Sequence, residues 1–380
     1  MMKLFLSFAV FGLFVSASAM AQEVVPPTTE AKQAYIVDAD TGTVLFDKSG
    51  NERMPTSSMS KVLTTIVADD AIRSGQISKD QLVTVSEKAW KMEGSRMFLD
   101  VNTTVSIGDL LKGIIIQSGN DACVALAEGI AGSEANYVAM MNLKAEEIGM
   151  KDSHFMNSNG LPDPNHYSTA HDLALMGMYL IRNYPEEYKT YAEKEFTYNN
   201  IKQGNRNPLL YKNIGADGIK TGHTEEGGYG MIGSAVAGGR RVIVVINGTS
   251  SMQARADESS KLMEWALTSF KNVDLITQGN VLAKAPVVLG EAREIEMAAG
   301  EGYRATIPSF AKNPAKISVT YKSPVVAPVK KGDVLGAVNI ALAGGATKEI
   351  PLVANADIVK SSFFKQMAEK FMILLVGVPE

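Results

Sequence analysis

The longest apolar run in the chain comes first. Leu4 to Val15 is interrupted only by Ser7 and Gly12, with Lys3 before it and Ala19-Met20-Ala21 after it. A charged start, a short apolar core and a small-x-small site are the marks of a secretory signal. They predict removal of residues 1–21 and a mature chain from Gln22. The run is too short to span a bilayer as an uncleaved anchor. Residues 34–47 (AYIVDADTGTVLFD) read as two short strands about a DADTG turn, where Gly42 takes positive φ. A helix is expected from about Ser58 through VLTTIVADDAI. Residues 106–149 are helix-rich, with Ser106 to Asp109 supplying a cap and an acidic first turn. Tyr229 to Ala237 and Arg241 to Asn247 read as a hairpin joined by Gly238-Gly239. Leu262, Trp265 and Ala266 share one face of a helix expected over Asp257 to Phe270.

Beyond residue 275 the pattern changes to short alternating runs such as KISVTY and VLGAVNI, separated by turns such as KKGD. This predicts a small all-β domain over 276–356. The pattern changes again at 357–380. Phe363, Phe364, Met367, Phe371, Leu374, Leu375 and Val378 recur at spacings of three and four, with Lys360, Lys365, Glu369 and Lys370 largely between them. An amphipathic helix of net positive charge suits the interface of a membrane, its lysines near lipid headgroups. The expected organisation is a signal at 1–21, a mixed α/β body at 22–275, the β-rich domain and the tail.

Composition narrows the function classes. The chain has 380 residues, 46% hydrophobic and 21% charged, which excludes disorder and coiled coil. A formal charge of −4 argues against a phosphate-tracking nucleic-acid binder. Cys123 is the sole cysteine, so neither a disulfide framework nor a Cys-rich zinc module is available. Of four histidines, His154, His166 and His171 fall close together, but their spacing fits no short helical ligand pair. There is no HExxH, no GxGxxG after a strand, no Walker A and no GxSxG elbow, and no cofactor or metal is implied.

Three short patterns remain, in a definite order. They are Ser58-Met59-Ser60-Lys61 (Ser-x-x-Lys), Ser118-Gly119-Asn120 (Ser-x-Asn) and Lys220-Thr221-Gly222 (Lys-Thr-Gly). Ser58 opens the apolar helical run, and a residue three positions on lies one turn up on the same face, which sets the Lys61 amine beside the Ser58 hydroxyl. Lysine serves as a base if desolvation, the positive helix end or a second cation lowers its pKa, and Lys220 is a candidate for that cation. Ser58 alone also reads as a helix cap with a solvated lysine. Ser118 and Asn120 sit at a small-residue joint between two apolar helical runs, where two polar side chains can face a cleft. On a strand, Lys220 and Gly222 share one face and Thr221 takes the other. Gly222 would let a substrate backbone approach, and the N–H of His223 can point at an oxyanion.

These motifs, in this order, resemble the penicillin-binding protein and serine β-lactamase superfamily. The flanks GSRMFL, LLKGIIIQSGNDACVALAEGIAGSE, GLP with HYSTAHDLA, NRNPLL and DGIKTGHTEEGGYG are similar to the low-molecular-mass D-alanyl-D-alanine carboxypeptidases. The resemblance covers about residues 30 to 275. It implies an antiparallel sheet flanked by helices, followed by a small all-β domain and an amphipathic tail. It also implies an exported, periplasmic enzyme held peripherally at the outer surface of the inner membrane. Its substrate would be a peptidoglycan stem pentapeptide, with β-lactams as covalent inhibitors.

By the same resemblance Ser58 is the nucleophile, Lys61 its base and Ser118 the proton relay to the leaving amine. Asn120 binds the substrate backbone, while Lys220 and Thr221 bind the terminal carboxylate. The N–H groups of Ser58 and His223 form the oxyanion hole, with Arg206 and Arg255 as further carboxylate-ordering candidates. Asp172 is expected to complete a capping box with Thr169. Asn159 stands where some relatives carry histidine, and Cys123 is read as core near the site. A class A β-lactamase shares the motifs but needs an activating glutamate, and residues 154–174 contain none. A D,D-endopeptidase relative usually lacks the second domain and tail. An inactive wall-binding module would not need Ser58, Lys61, Ser118 and Lys220 together.

Overall fold

The computed structural model describes residues 24–343 and 345–376. The signal expected at 1–21 and Val378 of the tail pattern lie outside them. β1 (Gln33–Asp38) and β2 (Val44–Lys48) form the hairpin expected about DADTG, with Gly42 at φ 73°. A short 3-10 turn, Ser57–Ser60, leads into α1 (Lys61–Arg73). β3 (Leu82–Thr84) and β4 (Thr104–Ser106) make a small ribbon around α2 (Glu87–Trp90). Ser106 caps α3 (Ile107–Lys112), its side chain accepting from the Asp109 N–H at 3.0 Å. One π-helical turn, Gly113–Gln117, separates α3 from α4 (Asn120–Ala131), and α5 (Glu134–Ile148) completes the helical layer. α6 (Ala170–Asn183), α7 (Pro185–Tyr188) and the ribbon β5 (Glu195–Tyr198) with β6 (Ile201–Gly204) follow.

β7 (Ala216–Thr224), β8 (Gly228–Ala237) and β9 (Arg240–Thr249) then complete an antiparallel five-stranded sheet in the order β2-β1-β9-β8-β7. The Gly238-Gly239 turn has both glycines at positive φ, as a two-residue hairpin needs. Within RVIVVIN the stretch Val242 to Ile246 is apolar without interruption because β9 is covered on both faces. Ile243 and Val245 pack with the helices of the main core, while Val242, Val244 and Ile246 pack beneath α8 (Met252–Ser269). Ser251 caps α8, so the helix begins five residues before the expected Asp257. Its first turns are polar (MQARADESS), and only the second half displays an apolar face. That earlier start places Arg255 on the helix.

β10 (Phe270–Ile276) leaves α8 directly and crosses residue 275. β11 (Val281–Val288), β12 (Glu294–Ala299), β13 (Tyr303–Pro308), β14 (Ala315–Tyr321), β15 (Val325–Val326), β16 (Val334–Leu342) and β17 (Thr347–Ala354) follow. β10 pairs with β13, and the rest form a sheet in the order β14-β16-β17-β12-β11-β15. Ala285, Ile295, Met297, Val338, Ile340, Ile350 and Leu352 fill its separate core. This is the all-β domain the alternation predicts. The tail helix α9 (Phe363–Val376) starts six residues after the expected 357, because Ile358 and Ser361 are still buried in the β domain.

Candidate active site

Ser58 lies in the 3-10 turn and Lys61 at the first position of α1, and the Lys61 Nζ donates to Ser58 Oγ at 2.8 Å. The three-residue spacing does bring the two together. Two further acceptors meet the same nitrogen: Asn120 Oδ1 at 2.8 Å and the Asn159 carbonyl at 2.5 Å. Lys61 is fully buried. The turn that carries Ser58 is held tightly. Ser57 sits at φ 50°, and a Cβ on Gly160 would lie 1.9 Å from the Ser57 carbonyl oxygen, so only glycine lets the 154–168 loop close over it.

Ser118 is the left-handed residue, φ 62°, that ends the π-helical turn and turns the chain into α4. A non-glycine residue there carries strain of the kind that concentrates at functional sites. Asn120 is fixed by its own amide, which donates to the Glu93 carbonyl at 2.7 Å and leaves Oδ1 for Lys61. Ser58, Ser118, Arg206, Thr221, His223 and Arg255 line one cleft of about 370 Å³. Asn120 and Asn159 line an adjoining lobe that also reaches Ser58. Arg206 Nη1 donates to Ser95 Oγ at 2.5 Å, and the Arg255 guanidinium lies 5.9 Å from the Tyr229 ring centroid.

β7 brings Lys220-Thr221-Gly222-His223 along the cleft edge. Thr221, Gly222 and His223 line it, while Lys220 is buried behind them and its Nζ donates to the Thr221 carbonyl at 3.1 Å. Gly222 also has a packing role: a Cβ there would meet the Thr56 carbonyl at 3.0 Å and Ser57 Cβ at 3.1 Å, so the missing side chain lets β7 pack on the Ser58 turn.

Burial pushes the Lys61 amine down to about 8, with the Arg206 cation adding to the effect and Cys123 and Asp121 opposing it. Burial also pushes Lys220 well below the ordinary lysine range, reinforced by Lys61, Arg206 and Arg255. Lys61 and Lys220 each oppose a proton on the other, so Lys220 acts on Lys61 alongside Arg206. Two buried amines among these arginines cannot both hold a full charge, so they share fewer than two protons. Arg255 is itself pushed down to about 10 by burial. Cationic side chains with no carboxylate lining this cleft make a receptor for an anion.

The three clustered histidines turn apart. His154 Nδ1 meets the Asn165 carbonyl and His171 Nδ1 the Asp172 carboxylate, while His166 points inward. His166 Nδ1 accepts from the Met156 N–H at 3.2 Å, which leaves Nε2–H to donate to Ser60 Oγ at 2.8 Å. The Thr169–Asp172 cap is half of a box. Thr169 Oγ1 accepts from the Asp172 N–H, but the Asp172 carboxylate turns to Asp152 N and Ser153 Oγ. Cys123 is fully buried, and burial pushes its thiol up to about 12. The Asn159 side chain accepts from Leu161 N, so its backbone carbonyl, and not its amide, faces Lys61.

Sequence reasoning missed that carbonyl, which no side-chain pattern can announce. It also missed Asp121, whose carboxylate accepts from Met97 N and Leu99 N and so anchors the GSRMFL segment bearing Ser95. The acid inside SGND was its one visible signal.

The family model described as D-alanyl-D-alanine carboxypeptidase matches residues 20–251, and that of the penicillin-binding protein 5 C-terminal domain matches 270–360. D-alanyl-D-alanine carboxypeptidase DacA of Haemophilus influenzae is 36% identical, covering 98% of this chain and 96% of that protein. DacC of Escherichia coli is 37% identical, covering 94% and 92%. The crystal structure of penicillin binding protein 5 from Haemophilus influenzae superposes with a TM-score of 0.79 at 37% identity, covering 89% of this chain and all of that one. With both family models matched in order and relatives aligned over nearly the full length, this chain belongs to the D-alanyl-D-alanine carboxypeptidase family of penicillin-binding proteins.

Proposed function

We propose that Ser58 is the nucleophile of a serine D-alanyl-D-alanine carboxypeptidase that removes the terminal D-alanine from peptidoglycan stem pentapeptides. The observation that carries this is the coordination of Lys61. A neutral amine has two N–H donors and one lone pair. With Asn120 Oδ1 and the Asn159 carbonyl taking the two donors, the lone pair is left to face Ser58 Oγ. With its pKa near 8, about a tenth of Lys61 is neutral at pH 7 before substrate arrives.

The substrate's terminal carboxylate enters the cationic cleft beside Thr221, Arg206 and Arg255, close to Lys220. Its charge favours a proton on Lys220, and the ammonium formed there favours the neutral amine on Lys61. Ser58 Oγ then bonds the penultimate D-alanine carbonyl carbon as its proton passes to Lys61. The N–H groups of Ser58 and His223 receive the oxyanion, such donors contributing about 3 kcal/mol each. The C–N bond to the terminal D-alanine breaks as a proton reaches the leaving amine through Ser118. Asn120 holds the substrate backbone, and water hydrolyses the acyl-enzyme. A β-lactam presents the same carboxylate and a reactive amide, so it acylates Ser58.

The purified chain is incubated with diacetyl-Lys-D-Ala-D-Ala and, separately, with labelled penicillin. D-alanine release and a stable label, both lost in Ser58→Ala, are expected. Rapid penicillin turnover without D-alanine release would assign a β-lactamase instead.

The domain division accords with an exported protein: signal 1–21, catalytic body to about 275 with β10 as the junction strand, β-rich domain to about 361, past the expected 356, then the tail. α9 carries the attachment to the outer face of the cytoplasmic membrane. Phe363, Phe364, Met367, Phe371, Leu374 and Leu375 are all exposed, while Glu369 is turned back to accept from the Leu289 N–H at 3.0 Å. Among the described residues no helix is long and apolar enough to cross a membrane, so α9 would lie in the interface. Deletion from Ser362 onward spares the buried Ile358 and should move the protein from vesicle pellet to supernatant with D-alanine release unchanged. Undiminished sedimentation would refute the attachment.

A further inference from the structure

The carbonyl that orients Lys61 belongs to a peptide held from outside the cleft. Glu134, the first residue of α5, is partly shielded and sends its carboxylate inward. Its Oε1 accepts from both the Ser158 N–H at 3.1 Å and the Ser158 hydroxyl at 2.7 Å. Its Oε2 accepts from Lys88 Nζ, on α2, at 2.7 Å. Ser158 is fully buried, and its own carbonyl accepts from Thr64 Oγ1 on α1 at 2.6 Å. The next carbonyl along the chain is that of Asn159, on Lys61. The carboxylate therefore ties α5 and α2 to the two-residue segment that presents the acceptor, and Thr64 ties α1 to the same segment.

We infer that Glu134 is a positioning residue for the reaction: by gripping Ser158 from both its N–H and its hydroxyl, it aims the Asn159 carbonyl at Lys61 and so keeps the Lys61 lone pair on Ser58. This rests on the reading of Lys61 as the base. The Ser158 N–H and hydroxyl have no other hydrogen-bond acceptor among the described residues, so loss of Glu134 frees both. The peptide can then rotate, and a reacting group displaced by even part of an ångström loses much of its rate. Lys61 would lose an acceptor that stabilises its ammonium, and its pKa falls further. The other groups facing Lys61 stay in place: Asp121 and Cys123 from α4, Arg206, Lys220 on β7, and His166.

Two effects of opposite sense follow. In Glu134→Ala, penicillin acylation per active site falls on the order of tenfold at its high-pH plateau. The acid limb of the rate profile nonetheless moves to lower pH, because a more readily deprotonated amine now points the wrong way. KM for diacetyl-Lys-D-Ala-D-Ala stays within about twofold, since no substrate contact is removed. Glu134→Gln restores most of the plateau, its amide oxygen still accepting from Ser158. Should the alanine variant fail to fold, Ser158→Ala removes the hydroxyl half of the grip and is expected to lower the plateau by a smaller factor.

Active sites are counted by end-point labelling, so a fall in folded fraction is separated from a fall in rate. An unchanged plateau and limb in Glu134→Ala, or in Ser158→Ala if that is the variant read, overturns the inference. So does a loss that glutamine fails to restore. If Lys61→Met acylates normally, the underlying reading of Lys61 fails instead, and the two failures are distinct.

Discussion

Between residues 56 and 69 the catalytic body buries Thr56, Ser57, Ser60, Lys61, Thr64, Thr65 and Asp69. Among its described residues the whole C-terminal β domain buries only two polar side chains, Thr306 and Ser361, about an otherwise aliphatic core. The β domain is held by alternation alone: apolar side chains point inward, and the ladder satisfies the backbone. In the body polar groups removed from water are held by specific partners, and some of those partners surround the site. Thr56 Oγ1 with Ser60 Oγ, Ser60 Oγ with His166, and Thr65 Oγ1 with Tyr191 are links of this kind. Burial that would destabilise an ordinary core is here what lowers Lys61 into a useful range.

The sharpest break in the comparison is Lys61→Met. Loss of the base should cut penicillin acylation by about a thousandfold. The melting temperature should shift little, because relief of a desolvated amine is offset by the acceptors left unpaired on Asn120 and Asn159. Acylation measured per folded molecule, beside a thermal melt, checks both. Leu352→Ala is the converse. It empties the fully buried centre of the β core and should cost about 2–5 kcal/mol in denaturant unfolding of that domain, with D-alanine release per active site unchanged. A loss of catalysis there would mean the two regions are more tightly coupled than their separate cores imply.

A smaller effect is expected from His166, which burial pushes down to about 4. Between pH 4 and 6.5 the unfolded chain binds a proton at this residue that the folded chain does not. Stability therefore rises with pH through that window, by at most about 3 kcal/mol, and the contribution is flat above it. His166→Gln should flatten that slope in urea titrations. An unchanged slope would assign the acid sensitivity to other groups.

Much of this was legible in the chain. Hairpins at Gly42 and at Gly238-Gly239 declare themselves through turn residues beside alternating runs. The β domain shows the same period of two, and the Ser-x-x-Lys pair is a statement about one helical turn. The early start of α8 was hidden because its first turns carry few apolar residues. Gly222 was visible as a glycine, but the Ser58 turn packed against it was not. Asp172 showed its cap partner, Thr169, which is local, and not Asp152 or Ser153, which lie across a loop.

The sequence by itself determined the family motifs, their order, the change to an all-β domain and the face of the tail helix. Apart from the order of the motifs, each is written by neighbours two to four residues apart, where backbone period fixes which side chains meet. Only the tertiary structure brought the acceptors of Lys61 to its amine, since they lie 59 and 98 residues away on α4 and on the loop before α6. It likewise decided that Lys220 stands behind the cleft and that Glu134 reaches Ser158. Such contacts depend on how layers pack, and packing is set by the whole core at once, so no local pattern records them.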